Sequence, residues 1–119
     1  MSARILDGEA FASQIHRDTA SRVATLVKRG ITPRLVFIRV GEDPASRAYV
    51  SRKETRAKEV GISSETIVLP ETTSLSQLLA QIDALNADPK VHGILIQSPL
   101  PSALPNEQVY ARVSPAKDV

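Results

Sequence analysis

Residues 35–40 read Leu-Val-Phe-Ile-Arg-Val, a nearly continuous run of apolar and β-branched side chains that follows Pro33. A strand with one wet face alternates polar and apolar positions. A run of this kind belongs instead to a strand covered on both faces, as in a parallel sheet. After Gly41 a helix starts almost at once. Asp43 supplies a side-chain acceptor for the first free amides, and Pro44 takes the position that needs no amide partner. Gly61 is the left-handed residue expected to stop that helix. Between the two signals, Ala45, Ala48, Tyr49, Ala57 and Val60 recur at helical spacing and predict its buried stripe.

The same grammar repeats along the chain. Met1 to Leu6 predicts a short edge strand, and Asp7 caps a helix over Gly8 to Arg29 whose stripe is Phe11, Ile15, Val23, Leu26 and Val27. Lys28 and Arg29 suit the negative end of that helix, and Gly30 stops it. Residues 64–69 predict a second strand, closed by Pro70. Ser74 with Gln77 fits a capping box opening a helix that buries Leu75, Leu78, Leu79, Ile82 and Leu85. Residues 91–97 predict a third strand, and the proline-studded loop after it cannot pair in a ladder. Asn106 is expected to cap a last short helix carrying Val109, Tyr110 and Val113. This alternation predicts an α/β domain spanning residues 1–119, with a mainly parallel sheet of three to four strands, right-handed crossovers and flanking helices.

Composition narrows the function classes. With 42% hydrophobic and 24% charged residues, the chain is ordinary globular material. A net charge of +2, with only two Phe, two Tyr and no Trp for base stacking, argues against nucleic acid as a partner. No cysteine means no disulfide framework, thiolate nucleophile or cysteine metal site, and two histidines leave little for a metal centre. Neither a secretory signal nor a run of membrane-spanning length is present, so a cytoplasmic protein without a membrane partner is expected.

Lys53 falls on the stripe of the central helix, one turn after Tyr49 and one before Ala57. An ammonium drawn partly out of water either gives up its proton more readily or finds a partner. Two readings stay open on spacing alone: a lysine whose stem packs while its head stays wet, or a tyrosine and a lysine facing one cleft. Gln97 ends an apolar strand before Pro99; it either satisfies loop amides or orients the amine through a hydrogen bond. Open α/β sheets place ligands at the carboxyl ends of their strands, where Gly41 and Gln97 both lie. His16, one residue off its stripe, reads as a surface or boundary histidine, and Asp118, next to the last residue, as a frayed and solvated carboxylate.

Taken together these stretches resemble the N-terminal catalytic domain of the bifunctional methylenetetrahydrofolate dehydrogenase/methenyltetrahydrofolate cyclohydrolase family. VGEDPASRAYVSRK at 40–53, LPETTS at 69–74, GILIQSPLP at 93–101 and SPAKDV at 114–119 carry the likeness, which runs with consistent spacing from Leu6 onward. The resemblance implies that Lys53 is the central catalytic group of the cyclohydrolase and assists the dehydrogenase, and that Gln97 bonds and tunes it. It implies that Tyr49 packs against the folate, that Asp118 holds the pterin ring, and that Ser46 lies near the site. It also implies an NADP-dependent enzyme of one-carbon metabolism and purine biosynthesis, homodimeric at full length, with NADP held by a Rossmann-like domain beyond Val119.

Departures accompany the likeness. Ser98 stands where the family usually has leucine, and Thr55 where it often has a second lysine. Neither G-x-G-x-x-G nor the aspartate-glycine segment that follows KDV in the family is present. The chain is therefore expected to be an excised domain, largely inactive alone, with a bare surface where the family's C-terminal helix returns. A non-catalytic folate-binding module and a plain nucleotide-binding α/β domain are the competing readings.

Overall fold

The strand 34–40 is the hub of the fold. The computed structural model describes residues 2–119 in the order α1 (Gly8–Lys28), β1 (Arg34–Val40), α2 (Pro44–Glu59), β2 (Ser63–Leu69), α3 (Leu75–Ala87), β3 (Gly93–Ile96) and α4 (Asn106–Ala111). The three strands form one sheet in the order β2-β1-β3, and both pairings are parallel. Phe37 of β1 is in register with Thr66 of β2 on one side and Leu95 of β3 on the other.

Strand geometry sends alternate side chains to opposite faces. Val36, Ile38 and Val40, with Ile94 and Ile96, meet Leu78, Ile82 and Leu85 of α3 and Val109 of α4 in the main core. Leu35, Phe37 and Arg39 point to the other face, which α2 covers; Phe37 is only 1% exposed. The expectation of a strand buried on both faces is met at every position from Val36 to Val40. The Ser74–Gln77 capping box is present with both of its hydrogen bonds.

Four expectations are corrected. The proposed first strand does not form among residues 2–6, Met1 lying outside the described residues. Ile5 and Leu6 are exposed, and the outer edge of β3 is taken by the chain's last residues: Ile94 N donates to Lys117 O at 2.8 Å and Ile94 bridges Asp118. The stripe of α1 is mostly uncovered, with Val23 buried but Phe11 63% and Ile15 61% exposed. At about 1.5 Å per residue, 21 residues of helix exceed the length of a seven-residue strand, so the first turns of α1 run past the sheet. In α2 the buried line is Ser46, Val50 and Ala57, while Ala45, Ala48 and Tyr49 are exposed. A run of small residues fits either phase, and the sheet selects the one that seats Val50. Finally, Asn106 is the first residue of α4 and Pro105 its N-cap, with no side-chain capping bond.

Candidate active site

The site is assembled at the carboxyl ends of β1 and β3, where α2 begins. Gly41 turns the chain at φ 87°, a conformation that only glycine adopts without strain. Asp43 Oδ2 then accepts from the Ser46 amide at 2.9 Å and caps α2, with Pro44 at its first turn. That fixes the helix phase, so Ser46, Val50, Lys53 and Ala57 descend the side nearest the sheet.

Lys53 is half-buried and has found a partner: its Nζ donates to Gln97 Oε1 at 2.8 Å. Two alternations make this possible. Gln97 continues the phase of Leu95, so it points to the face that α2 covers, and its own amide donates to Ile38 O at 2.9 Å, which ties it to the central strand. Gln97 is 9% exposed. Its Nε2 donates to the Ser98 carbonyl at 3.0 Å. The Ser46 hydroxyl, 2% exposed, lies between Asp43 Oδ2 at 2.9 Å and Ser98 O at 3.2 Å. Lys53, Gln97 and Ser46 are therefore joined in one hydrogen-bonded group through the Ser98 carbonyl.

Tyr49 stands apart from that group. It sits one turn before Lys53 with a 53% exposed side chain, and the Arg52 guanidinium carbon is 5.9 Å from its ring centroid. A ring presented this way is free to stack on a planar ligand. Asp118 is exposed, but its backbone is held: it bridges Ile94, and Lys117 Nζ donates to Leu85 O and Asp88 O at the end of α3. Ile94 is three positions before Gln97, about 10 Å along the strand, and the Asp118 carboxylate makes no hydrogen bond among the described residues.

An open cleft of about 420 Å³ runs between α1 and α2 over the sheet, floored by Leu35, Phe37 and Leu95, with Lys53 and His16 in its walls. At the other side of the α2 N-terminus, Glu42, Asp43 and Glu71 line the turn after β1. Three carboxylates there, one of them already occupying an α2 amide, oppose a pyrophosphate at the position where a nucleotide fold would bind it. The residues present do not fit NADP.

Three further residues contribute in ways the sequence does not assign to them. Ser98 acts through its carbonyl, which no residue-type signal reveals. Tyr110 shares a hydrogen bond with the Ser98 hydroxyl, a contact made only by the packing of α4. Arg39, 8% exposed, donates to Gly41 O at 2.7 Å and braces the β1 turn; as the lone charge in the apolar run 35–40 it is a visible signal.

Comparison with known proteins bears on all of this. Residues 6–119 match the family model described as tetrahydrofolate dehydrogenase/cyclohydrolase, catalytic domain. The bifunctional protein FolD of Geotalea uraniireducens is 50% identical over 116 residues, 98% of this chain and 41% of the relative. That of Dinoroseobacter shibae is 51% identical over 120 residues, 100% of this chain and 40% of the relative. Among solved structures, the Campylobacter jejuni bifunctional methylenetetrahydrofolate dehydrogenase/cyclohydrolase superimposes with a TM-score of 0.97 at 36% identity, over 98% of this chain and 42% of that one. The Trypanosoma brucei enzyme, solved with NADP cofactor and inhibitor, gives 0.90 at 30% identity, over 99% and 41%. The chain spans about two fifths of the length of the curated relatives it matches.

Proposed function

The chain belongs to the tetrahydrofolate dehydrogenase/cyclohydrolase family through its catalytic domain, and from that premise we propose that it is the folate-binding, catalytic part of a bifunctional enzyme. The full-length protein oxidises methylenetetrahydrofolate to methenyltetrahydrofolate with NADP and hydrolyses the product to formyltetrahydrofolate. NADP accepts the hydride and is held outside this chain, in keeping with the acidic turn after β1.

The observation that carries the reading is the 2.8 Å bond from Lys53 Nζ to Gln97 Oε1 at the carboxyl end of the sheet. Hydrolysis of the methenyl cation needs water added at the amidinium carbon and a group to take its proton. Lys53 is assigned to take that proton, and Gln97 to hold the amine in position, a reading that their hydrogen bond supports. Tyr49, exposed one turn away, is assigned to pack against the folate, and Asp118 to hold the pterin. Ser46 is assigned near the site, where its bonds to Asp43 and Ser98 make it part of the frame around Gln97.

General-base assistance is worth roughly two to four decades in rate. Lys53→Met in the full-length protein is expected to lower cyclohydrolase turnover by that amount, measured from the decay of methenyltetrahydrofolate absorbance. Turnover within a few-fold of the parent would refute the assignment of Lys53. This chain alone is expected to bind folate weakly and turn it over little, which titration and an assay without NADP would check. A cytoplasmic homodimer completes the proposal for the full-length protein; among the described residues no helix is long and apolar enough to cross a membrane, and light scattering gives the assembly mass.

A further inference from the structure

We infer that Tyr110, acting through the Ser98 hydroxyl, is a positioning residue for the Lys53–Gln97 pair. A glutamine amide has one accepting end and one donating end. Only the oxygen can receive the hydrogen that Lys53 Nζ donates; turned by half a rotation, Gln97 would present NH₂ in its place and the 2.8 Å bond from Nζ would be lost. The Ser98 carbonyl makes the choice, because it accepts from Nε2 at 3.0 Å and so leaves Oε1 facing Lys53. The orientation of Gln97 thus depends on where the Ser98 peptide is held.

That peptide starts a segment poor in internal support. Pro99, Pro101 and Pro105 have no amide to donate, and the backbone bond within the loop is Leu104 N to Pro101 O at 2.9 Å. Ser98 is fastened at two points instead: its carbonyl by the Ser46 hydroxyl at 3.2 Å, its own hydroxyl by Tyr110. The second fastening leads to a firm base. Val109, beside Tyr110, is fully buried in the core, and α4 is tied to α3 where Asn86 Nδ2 donates to Arg112 O at 2.9 Å. The link exists because position 98 is serine; a leucine there has nothing to offer the tyrosine.

The test has a geometric arm and a kinetic arm, and only the second rests on the proposed function. In the 119-residue chain, exchange of the Gln97 side-chain amide protons is followed by NMR in the parent, Tyr110→Phe, Ser98→Ala and Ser98→Thr. Exchange is expected to quicken about two- to ten-fold in the first two variants, the range one modest hydrogen bond supports, and to return toward the parent rate in Ser98→Thr, which keeps the hydroxyl. In the full-length protein, the same two losses are expected to lower cyclohydrolase turnover by about two- to ten-fold with KM little changed, and to have no further effect when Gln97 is already alanine. Unchanged Gln97 exchange in both variants overturns the inference. So does faster exchange with unaltered turnover, or a turnover loss equally large in the Gln97→Ala background, since a general loosening would not pass through Gln97. A parent protein devoid of cyclohydrolase activity sinks the proposed function instead, and leaves the exchange comparison to decide whether Tyr110 anchors Gln97.

Discussion

Lys53 and Gln97 were both recognisable from residue type and position, and their meeting follows from two periodicities. Gln97 keeps the face of Leu95, and Lys53 keeps the face of Ala57. Helical spacing puts Tyr49 on the same stripe, yet it is 53% exposed, because one step of helix rotation separates it from Val50. Small residues on α2 left that step undetermined. Gly61 is a residue-scale case in which two constraints coincide: its φ is 88°, and a Cβ there would stand 3.1 Å from Val23 Cγ1. Gly61→Ala is expected to destabilise by about 1–2 kcal/mol from the left-handed conformation alone, and by more if Val23 cannot yield. Urea denaturation with an unchanged m-value would show it.

At the scale of elements, caps were legible and lateral contacts were not. Asp43 and Ser74 cap α2 and α3 as their neighbours suggest, whereas Asn106 does not cap α4. Ser74→Ala removes the acceptor for the Gln77 amide and is expected to cost about 1 kcal/mol in thermal or denaturant unfolding. The pairing of α3 with α4 is steadied by Arg112, which donates to Asp83 through Nε at 2.7 Å and a second nitrogen at 2.8 Å. The hydrogen bond from Arg112 holds the Asp83 carboxyl below the usual carboxylate range; desolvation opposes this, and the guanidinium charge adds to the lowering. A carboxyl depressed in the folded state contributes stability that is present above the unfolded value, about 3.9, and is lost as pH falls through the folded one. Asp83→Asn is thus expected to lower the Tm slightly at pH 7 and to have a vanishing effect well below pH 3.9, read by a melting series across that interval.

For the molecule as a whole, the two faces of the sheet differ. The α3–α4 face is a closed core in which Val36, Ile38, Leu78, Ile82 and Ile94 have no exposure at all. The opposite face is covered by α2 and only in part by α1. The radius of gyration is 16.7 Å, against about 13.5 Å for a compact chain of this length, so the molecule is more extended than a closely packed domain. Stability should therefore concentrate on one side. Ile82→Ala is expected to cost about 2–5 kcal/mol, whereas Phe11→Ser, on the exposed turns of α1, should stay within about 0.5 kcal/mol. Parallel denaturation curves of the two variants would check this, and equal losses would contradict it.

Local sequence determined the order of the elements, the starts of α2 and α3, the double-sided burial of β1 and the residue types at the carboxyl end of the sheet. These follow from short-range causes: side-chain periodicity, capping chemistry and the backbone habits of glycine and proline. Tertiary structure alone decided which phase of α2 faces the sheet, that α1 leaves its stripe largely bare, that the last residues take the edge of β3, and that Tyr110 reaches Ser98. Each of those depends on which surfaces remain after the strands have paired. Competition for a common surface is settled by contacts between residues far apart in the chain, and no window of sequence contains both parties to it.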